Sequence, residues 1–215
     1  MIAFASWSGG KDSCLALYKA LKGGFDVEVL LNTITEDGMY SRSHGVRAEV
    51  LKKQAETIGL NIIQIKTSWE DYEANYKQVL SKLKEEGFSY GVFGDIDLEV
   101  HREWVEKVCA SAGIKPVLPL WKMEREKVVR EFIGSGFRAV VCSVREGILE
   151  KEWLGKEINE EFIEEMKKRG VDACGENGEF HTFVYDGPIF KKPLKLKFGE
   201  IKTRKKYYFI DIEVQ

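Results

Sequence analysis

The chain has 215 residues, enough for one large core or for one core with a smaller appendage, and 44% hydrophobic with 32% charged residues is a soluble globular composition. Thirty-three Lys and Arg stand against 35 Asp and Glu, so no broad basic field points to nucleic acid or to anionic lipid. No apolar run approaches membrane-spanning length, no basic-then-apolar leader opens the sequence, and the widely spaced Cys14, Cys109, Cys142 and Cys174 form no CxxC pair; they read as reduced thiols of a cytoplasmic protein.

In chain order, "MIAFASW" predicts a strand, and Asp12 to Lys22 a helix stopped by "GG". "VEVLLNTI" is the next strand, and a polar stretch from Thr35 to Ser43 follows as a loop. Val46, Val50, Leu51, Ala55 and Ile58 share one helical face closed by Gly59. Then come "NIIQIK", a helix over 70–86, "YGVFGDI", a helix over 99–112, "KPVLPLW", a helix over 124–133 and "FRAVVCSV". Apolar strands separated by helices predict an α/β, doubly wound parallel sheet over residues 1–144. Charge-dense residues 145–170, with short helices near "EKEWLG" and "EEFIEEMKKRG", open a smaller C-terminal α+β part, 145–215. It ends in a hairpin around "KTRKK", and a cleft between the two parts is the expected ligand position.

Between the first strand and first helix stands "SGGKDS", residues 8–13. Gly9 and Gly10 let several backbone N–H groups turn into one concavity at a helix start, an arrangement suited to phosphate oxygens. Ser8 and Ser13 add hydroxyl donors and Lys11 a cation. Asp12 would repel a bare phosphate, so its presence points to a magnesium ion between them. A plain glycine turn capped by Asp12 or Ser13 is the competing reading. The spacing is neither a Walker A nor a GxGxxG pattern.

"SGGKDS" resembles the PP-loop of the ATP pyrophosphatases, which split ATP between its α and β phosphates to activate an acyl oxygen as an adenylate. The resemblance implies that Ser8 to Ser13 hold the β and γ phosphates, that Lys11 offsets their charge and that Asp12 helps hold Mg2+. It also implies a HUP-like fold and a nucleotide base near residues 32–34. In "VFGDI", Gly94 permits close approach to the nucleotide and Asp95 orients a hydroxyl or a metal-bound water, or caps a helix.

The second unusual stretch is "ACGENGEFHTF", residues 173–183. By chemistry alone, Gly175 and Gly178 are turn residues, Glu176 and Glu179 are either solvated or functional, and metal ligation by Glu176, Glu179 and His181 stays open. With "SGGKDSC", "FGDI…VC", "LPLW" and "DGPIF", the stretch resembles the diphthine–ammonia ligases, a PP-loop branch, over most of the chain. In that branch this segment receives the substrate side chain, a role carried to Gly175, Glu176, Gly178, Glu179, Phe180 and His181, with Glu176 and Glu179 beside Lys11 and Asp12 as catalytic groups. The carboxylates suit the quaternary ammonium of diphthine; Trp153 or Trp121 either stacks on it or, the favoured reading, fills a core or interface place.

The resemblance implies ATP-dependent amidation of diphthine in translation elongation factor 2, with AMP and pyrophosphate released. The expected nitrogen source is ammonium, because no glutaminase-like unit is evident. A homodimer is compatible with it, while nucleic acid and membrane are not expected partners. A tRNA-modifying PP-loop enzyme and a non-catalytic ATP- or AMP-sensing module are the alternatives. Roles for His44 and Arg47 stay open.

Overall fold

A computed structural model describes all residues, 1–215. The strands are β1 (Ile2–Ser6), β2 (Asp26–Ile34), β3 (Asn61–Lys66), β4 (Tyr90–Val92), β5 (Lys115–Val117), β6 (Arg138–Arg145), β7 (Phe180–Asp186), β8 (Leu196–Arg204) and β9 (Tyr207–Val214). The helices are α1 (Lys11–Lys22), α2 (Ala48–Ile58), α3 (Tyr72–Glu85), α4 (Glu99–Ser111), α5 (Arg125–Gly134) and α6 (Glu160–Lys168), with a single 3-10 turn at Lys151–Trp153. The chain forms two compact units, Met1–Ser8 with Asp12–Arg42 and Leu60–Met123, and Gly9–Lys11 with Ser43–Gly59 and Glu124–Gln215.

The first unit is built on a parallel sheet of order β3-β2-β1-β4-β5. Order reverses beside β1, which makes the loop leaving that strand the switch point of a doubly wound sheet. Its core joins Phe4, Leu31 and Ile65 of the strands to Tyr76, Leu80 and Leu83 of α3 and to Val105, Val108 and Cys109 of α4. The buried faces of α3 and α4 are therefore the ones that cover the sheet.

The second unit carries an antiparallel sheet of order β7-β6-β9-β8. Here the sequence reading needs correcting. "FRAVVCSV" was expected to extend the parallel sheet, yet as β6 it lies between β7 and β9, antiparallel to both. Residues 139–144 are all buried, and a strand covered on both faces shows the same unbroken apolar run whichever sheet it joins. The boundary expected at 144/145 falls inside this strand, whereas the compact units divide at 123/124. α2 also groups with the second unit, although its sequence lies between two strands of the first. The tail forms the expected hairpin, β8 and β9 joined at Lys205–Lys206, with Lys205 in the left-handed region at φ 52°.

Candidate functional site

The diglycine bend follows β1 directly, as predicted, and α1 begins at Lys11. Gly9 has φ 77°, which only glycine adopts without strain. Space demands glycine too: a Cβ on Gly9 would stand 2.4 Å from Leu51 Cδ2, and one on Gly10 2.4 Å from His44 Cε1. Neighbours in the second unit hold the bend closely. The Gly9 carbonyl accepts hydrogen bonds from Val184 N–H at 3.0 Å and from Gln54 Nε2 at 3.1 Å. Gln54 Nε2 also donates to the Val184 carbonyl at 2.7 Å, and Lys11 N–H donates to Thr182 Oγ1 at 3.0 Å. The expectation that the bend's N–H groups turn into an open concavity is thus modified, since Lys11 N–H is engaged by β7.

Lys11 is only 4% exposed, with Nζ 6.0 Å from the centre of the Phe180 ring. His44 stacks on His181 with centroids 4.6 Å apart, and His181 stacks in turn on Tyr207 at 6.0 Å. A carbonyl oxygen can only accept, so the 3.0 Å contact to Thr182 O places a proton on His44 Nδ1. Burial pushes His44 down to about 4, against that hydrogen bond, and the Lys11 charge adds to the push. Burial, then His44 and Lys11, hold His181 well below the usual imidazole range. Both rings are neutral near pH 7.

In the first unit, Ser8 Oγ and Ser13 Oγ lie 3.2 Å apart. A Cβ on Gly94 would meet the backbone of Asp12 and Ser13 at 2.9–3.0 Å. Its missing side chain admits the start of α1. Asp95 Oδ1 stands 3.4 Å from His101 Nδ1. Asn32, at the expected base position, is buried and donates from Nδ2 to Trp7 O at 2.8 Å. Its side chain is a strand-to-strand tie.

The second turn is organised from within. Gly175 (φ 73°) and Gly178 (φ 78°) are both left-handed. Asp172 caps the bend, accepting from Cys174 N–H (2.9 Å), Glu176 N–H (3.2 Å) and Arg125 Nη1 (2.7 Å). Glu179 is 6% exposed, and its two oxygens accept from Asn177 N–H (3.0 Å) and Asn177 Nδ2 (2.9 Å). Tyr207 O–H donates to Gly178 O at 3.0 Å. Glu179 therefore shapes the turn from within, its carboxylate closing on Asn177. Glu176, Glu179 and His181 do not converge as a metal-ligand set. Phe180 is buried edge-on against Phe162 at 5.2 Å, a core contact rather than an open substrate surface.

Several other residues find structural places. Arg47, open from the sequence, forks onto Asp211 of β9 with Nε–Oδ1 at 2.7 Å and a second close contact through Nη2. Trp153 lies edge-on to Phe162 beneath the Arg169 guanidinium, and Trp121 lies beneath that of Arg102. All four cysteines are buried and none is in a disulfide. Burial raises Cys14, with the Asp12 charge adding to it, and burial pushes Cys109 and Cys142 up to about 12, so none of these three offers a thiolate nucleophile.

Gln54, Thr182, Asp172 and Arg125 were not singled out by sequence. Gln54 had left a trace, since it lies three and four residues from Leu51 and Val50 on a face that is otherwise apolar. Thr182 bonds to Lys11 and Arg125 to Asp172 across large sequence separations, and neither leaves one.

Two family models divide the chain between them. One described as "Diphthamide synthase N-terminal domain" matches residues 1–116, and one described as "Diphthamide synthase C-terminal domain" matches residues 124–215. This chain belongs to the diphthamide synthase family. Curated relatives named diphthine–ammonia ligase make the family one of C–N bond-forming ligases. That of Danio rerio is 31% identical over 87% of this chain and 83% of its own length, and that of Homo sapiens 28% identical over 90% and 82%. The Schizosaccharomyces pombe relative is 30% identical over 90% of this chain, which spans only 36% of that longer protein. Among solved structures, one titled as a predicted subunit of tRNA methyltransferase from Methanocaldococcus jannaschii shares the fold. Its TM-score is 0.50 at 18% identity, over 90% of this chain and 99% of that one. The split between the two family models, 116/124, coincides with the change from parallel to antiparallel sheet.

Proposed function

We propose that this chain is an ATP-dependent ligase that amidates diphthine in translation elongation factor 2. The diphthine carboxylate oxygen attacks the α phosphorus of ATP, and the bond to the departing pyrophosphate breaks. Ammonia then attacks the acyl carbon, AMP leaves with the carboxylate oxygen, and the nitrogen gives up a proton as the amide forms. The observation that carries this reading is the pair of adjoining family matches, which between them include both glycine turns.

In this reading Ser8, Gly9, Gly10, Lys11, Asp12 and Ser13 bind the β and γ phosphates at the switch point of the parallel sheet. Lys11, fixed at the head of α1, offsets the charge that builds on the leaving pyrophosphate, and the positive end of the helix adds to it. The Asp12 carboxylate and the Ser8 and Ser13 hydroxyls are hard oxygen donors, the kind Mg2+ takes. Magnesium held there would neutralise phosphate charge. Glu176 faces the quaternary ammonium of the substrate, and Glu179 acts through the shape of the turn. Neutral His181 contributes no charge that would repel that cation. Gly94 serves the site by letting α1 start where it does, and Asp95, just beyond β4, orients a hydroxyl or a metal-bound water.

No helix is long and apolar enough to cross a membrane. The test is incubation with ATP, ammonium and diphthine-bearing elongation factor, following AMP, pyrophosphate and the amide together. One AMP and one pyrophosphate per amide is the expected result. ADP with orthophosphate, or turnover that ignores the factor, would defeat the reading.

A further inference from the structure

The diglycine bend does not hold its own shape. Within residues 9–11, one carbonyl and one N–H are tied to groups that come from distant sequence, and those groups are buried: Thr182 is 2% exposed and Gln54 fully buried. Four bonds form one lattice. Lys11 N–H reaches Thr182 Oγ1, Val184 N–H and Gln54 Nε2 reach Gly9 O, and Gln54 Nε2 also reaches Val184 O. Thr182 is held in turn through its carbonyl by His44 Nδ1. The missing Cβ of Gly9 faces Gln54 Oε1 at 2.7 Å, and that of Gly10 faces Thr182 O at 3.1 Å, so the bend sits against these supports without slack.

We propose that Thr182 and Gln54 are positioning residues for the phosphate-binding bend, setting the direction of the Lys11 amide and of the Gly9–Gly10 peptide. The inference rests on the reading of that bend as an ATP phosphate site. The chemistry is specific. A hydroxyl that accepts from Lys11 N–H keeps its own O–H as a donor, and a carboxamide can donate to two carbonyls at once; neither valine nor glutamate can do the same. A buried amide left without an acceptor turns toward whatever acceptor it can find, which moves the residues that meet the nucleotide. Because Thr182 lies three residues after Glu179, the same strand that supports the bend also emerges from the second glycine turn.

The test compares wild type with Thr182→Val, Thr182→Ser and Gln54→Glu, reading KM for ATP, KM for ammonium and Lys11 amide hydrogen exchange. Thr182→Val is expected to raise KM for ATP about tenfold, the equivalent of one buried hydrogen bond, with KM for ammonium unchanged. Thr182→Ser is expected to restore the wild-type value, and Gln54→Glu to behave as Thr182→Val. In the nucleotide-free protein the Lys11 amide should be protected in wild type and in Thr182→Ser. Equal KM for ATP in Thr182→Val and wild type, or an unprotected Lys11 amide in wild type, overturns the proposal. Should Thr182→Val fail to fold, Lys11 exchange in wild type and Thr182→Ser decides alone. Wild type that turns over no ATP would sink the functional reading, while the exchange measurement would still judge the positioning role.

Discussion

Two glycine turns stand out in this chain, and they keep their shapes in opposite ways. The bend at Gly9–Gly10 is supported from outside, by Gln54 of α2 and by Thr182 and Val184 of β7. The turn at Gly175–Gly178 is supported from inside, by the Asp172 cap and by the Glu179 carboxylate closing on Asn177. An externally supported loop inherits its geometry from packing, so substitutions far away in sequence reach it. A self-supported turn depends on its own carboxylates, so one of its two glutamates is occupied before any ligand arrives. Substitution should separate these cases.

Gly10→Ala should do the most damage. Its Cβ would strike His44 and Thr182 O, and displacing the bend by even a fraction of an ångström is expected to cut ATP-dependent AMP release about 100-fold or more. Next come the two glutamates. Glu176→Gln should leave ATP binding intact and lower amide formation about 100-fold, the scale of losing one charge-stabilising group. Glu179→Gln should instead lower unfolding free energy by roughly 1–3 kcal/mol, because an amide brings a donor against the donors of Asn177. Chemical denaturation beside the amidation assay tells them apart; equal behaviour of the two variants would erase the division drawn here.

Acid should loosen the external support of the first bend. His44 has a folded value near 4 against an ordinary 6.5, so the unfolded chain takes up the proton first as pH falls. The stability contributed by the neutral ring is present above pH 6.5 and is lost progressively toward pH 4, by up to roughly 3 kcal/mol. His44→Gln should flatten that part of the stability–pH curve. The smallest effect belongs to Arg47–Asp211, which ties the start of α2 to β9. Partial burial works against the Asp211 charge, yet Arg47 and then Lys202 hold its carboxyl below the usual range. Its contribution is therefore present at neutral pH and fades only as pH falls through that lowered value. Asp211→Asn should cost about 1 kcal/mol in denaturant titration, with a slight rise in KM for ATP because α2 carries Gln54.

Element types and order were legible because each strand and helix shows its own period of burial. The five parallel strands, the helices between them and the terminal hairpin could be read from runs such as "VEVLLNTI" and "LKLKFGEIKTRKKYYF". The two glycine turns were legible as well, since positive φ and close approach demand glycine locally. Sheet membership of β6 was not, because an unbroken apolar run states burial on both faces and says nothing of its neighbours' direction. Nor were the supports of the first bend. Lys11 and Thr182 are 171 residues apart in sequence, and a hydrogen bond over that distance leaves no periodicity to read. Local backbone requirements, then, are written in the sequence itself. Which distant groups meet them is decided only when tertiary packing brings donors and acceptors within three ångströms or so of each other.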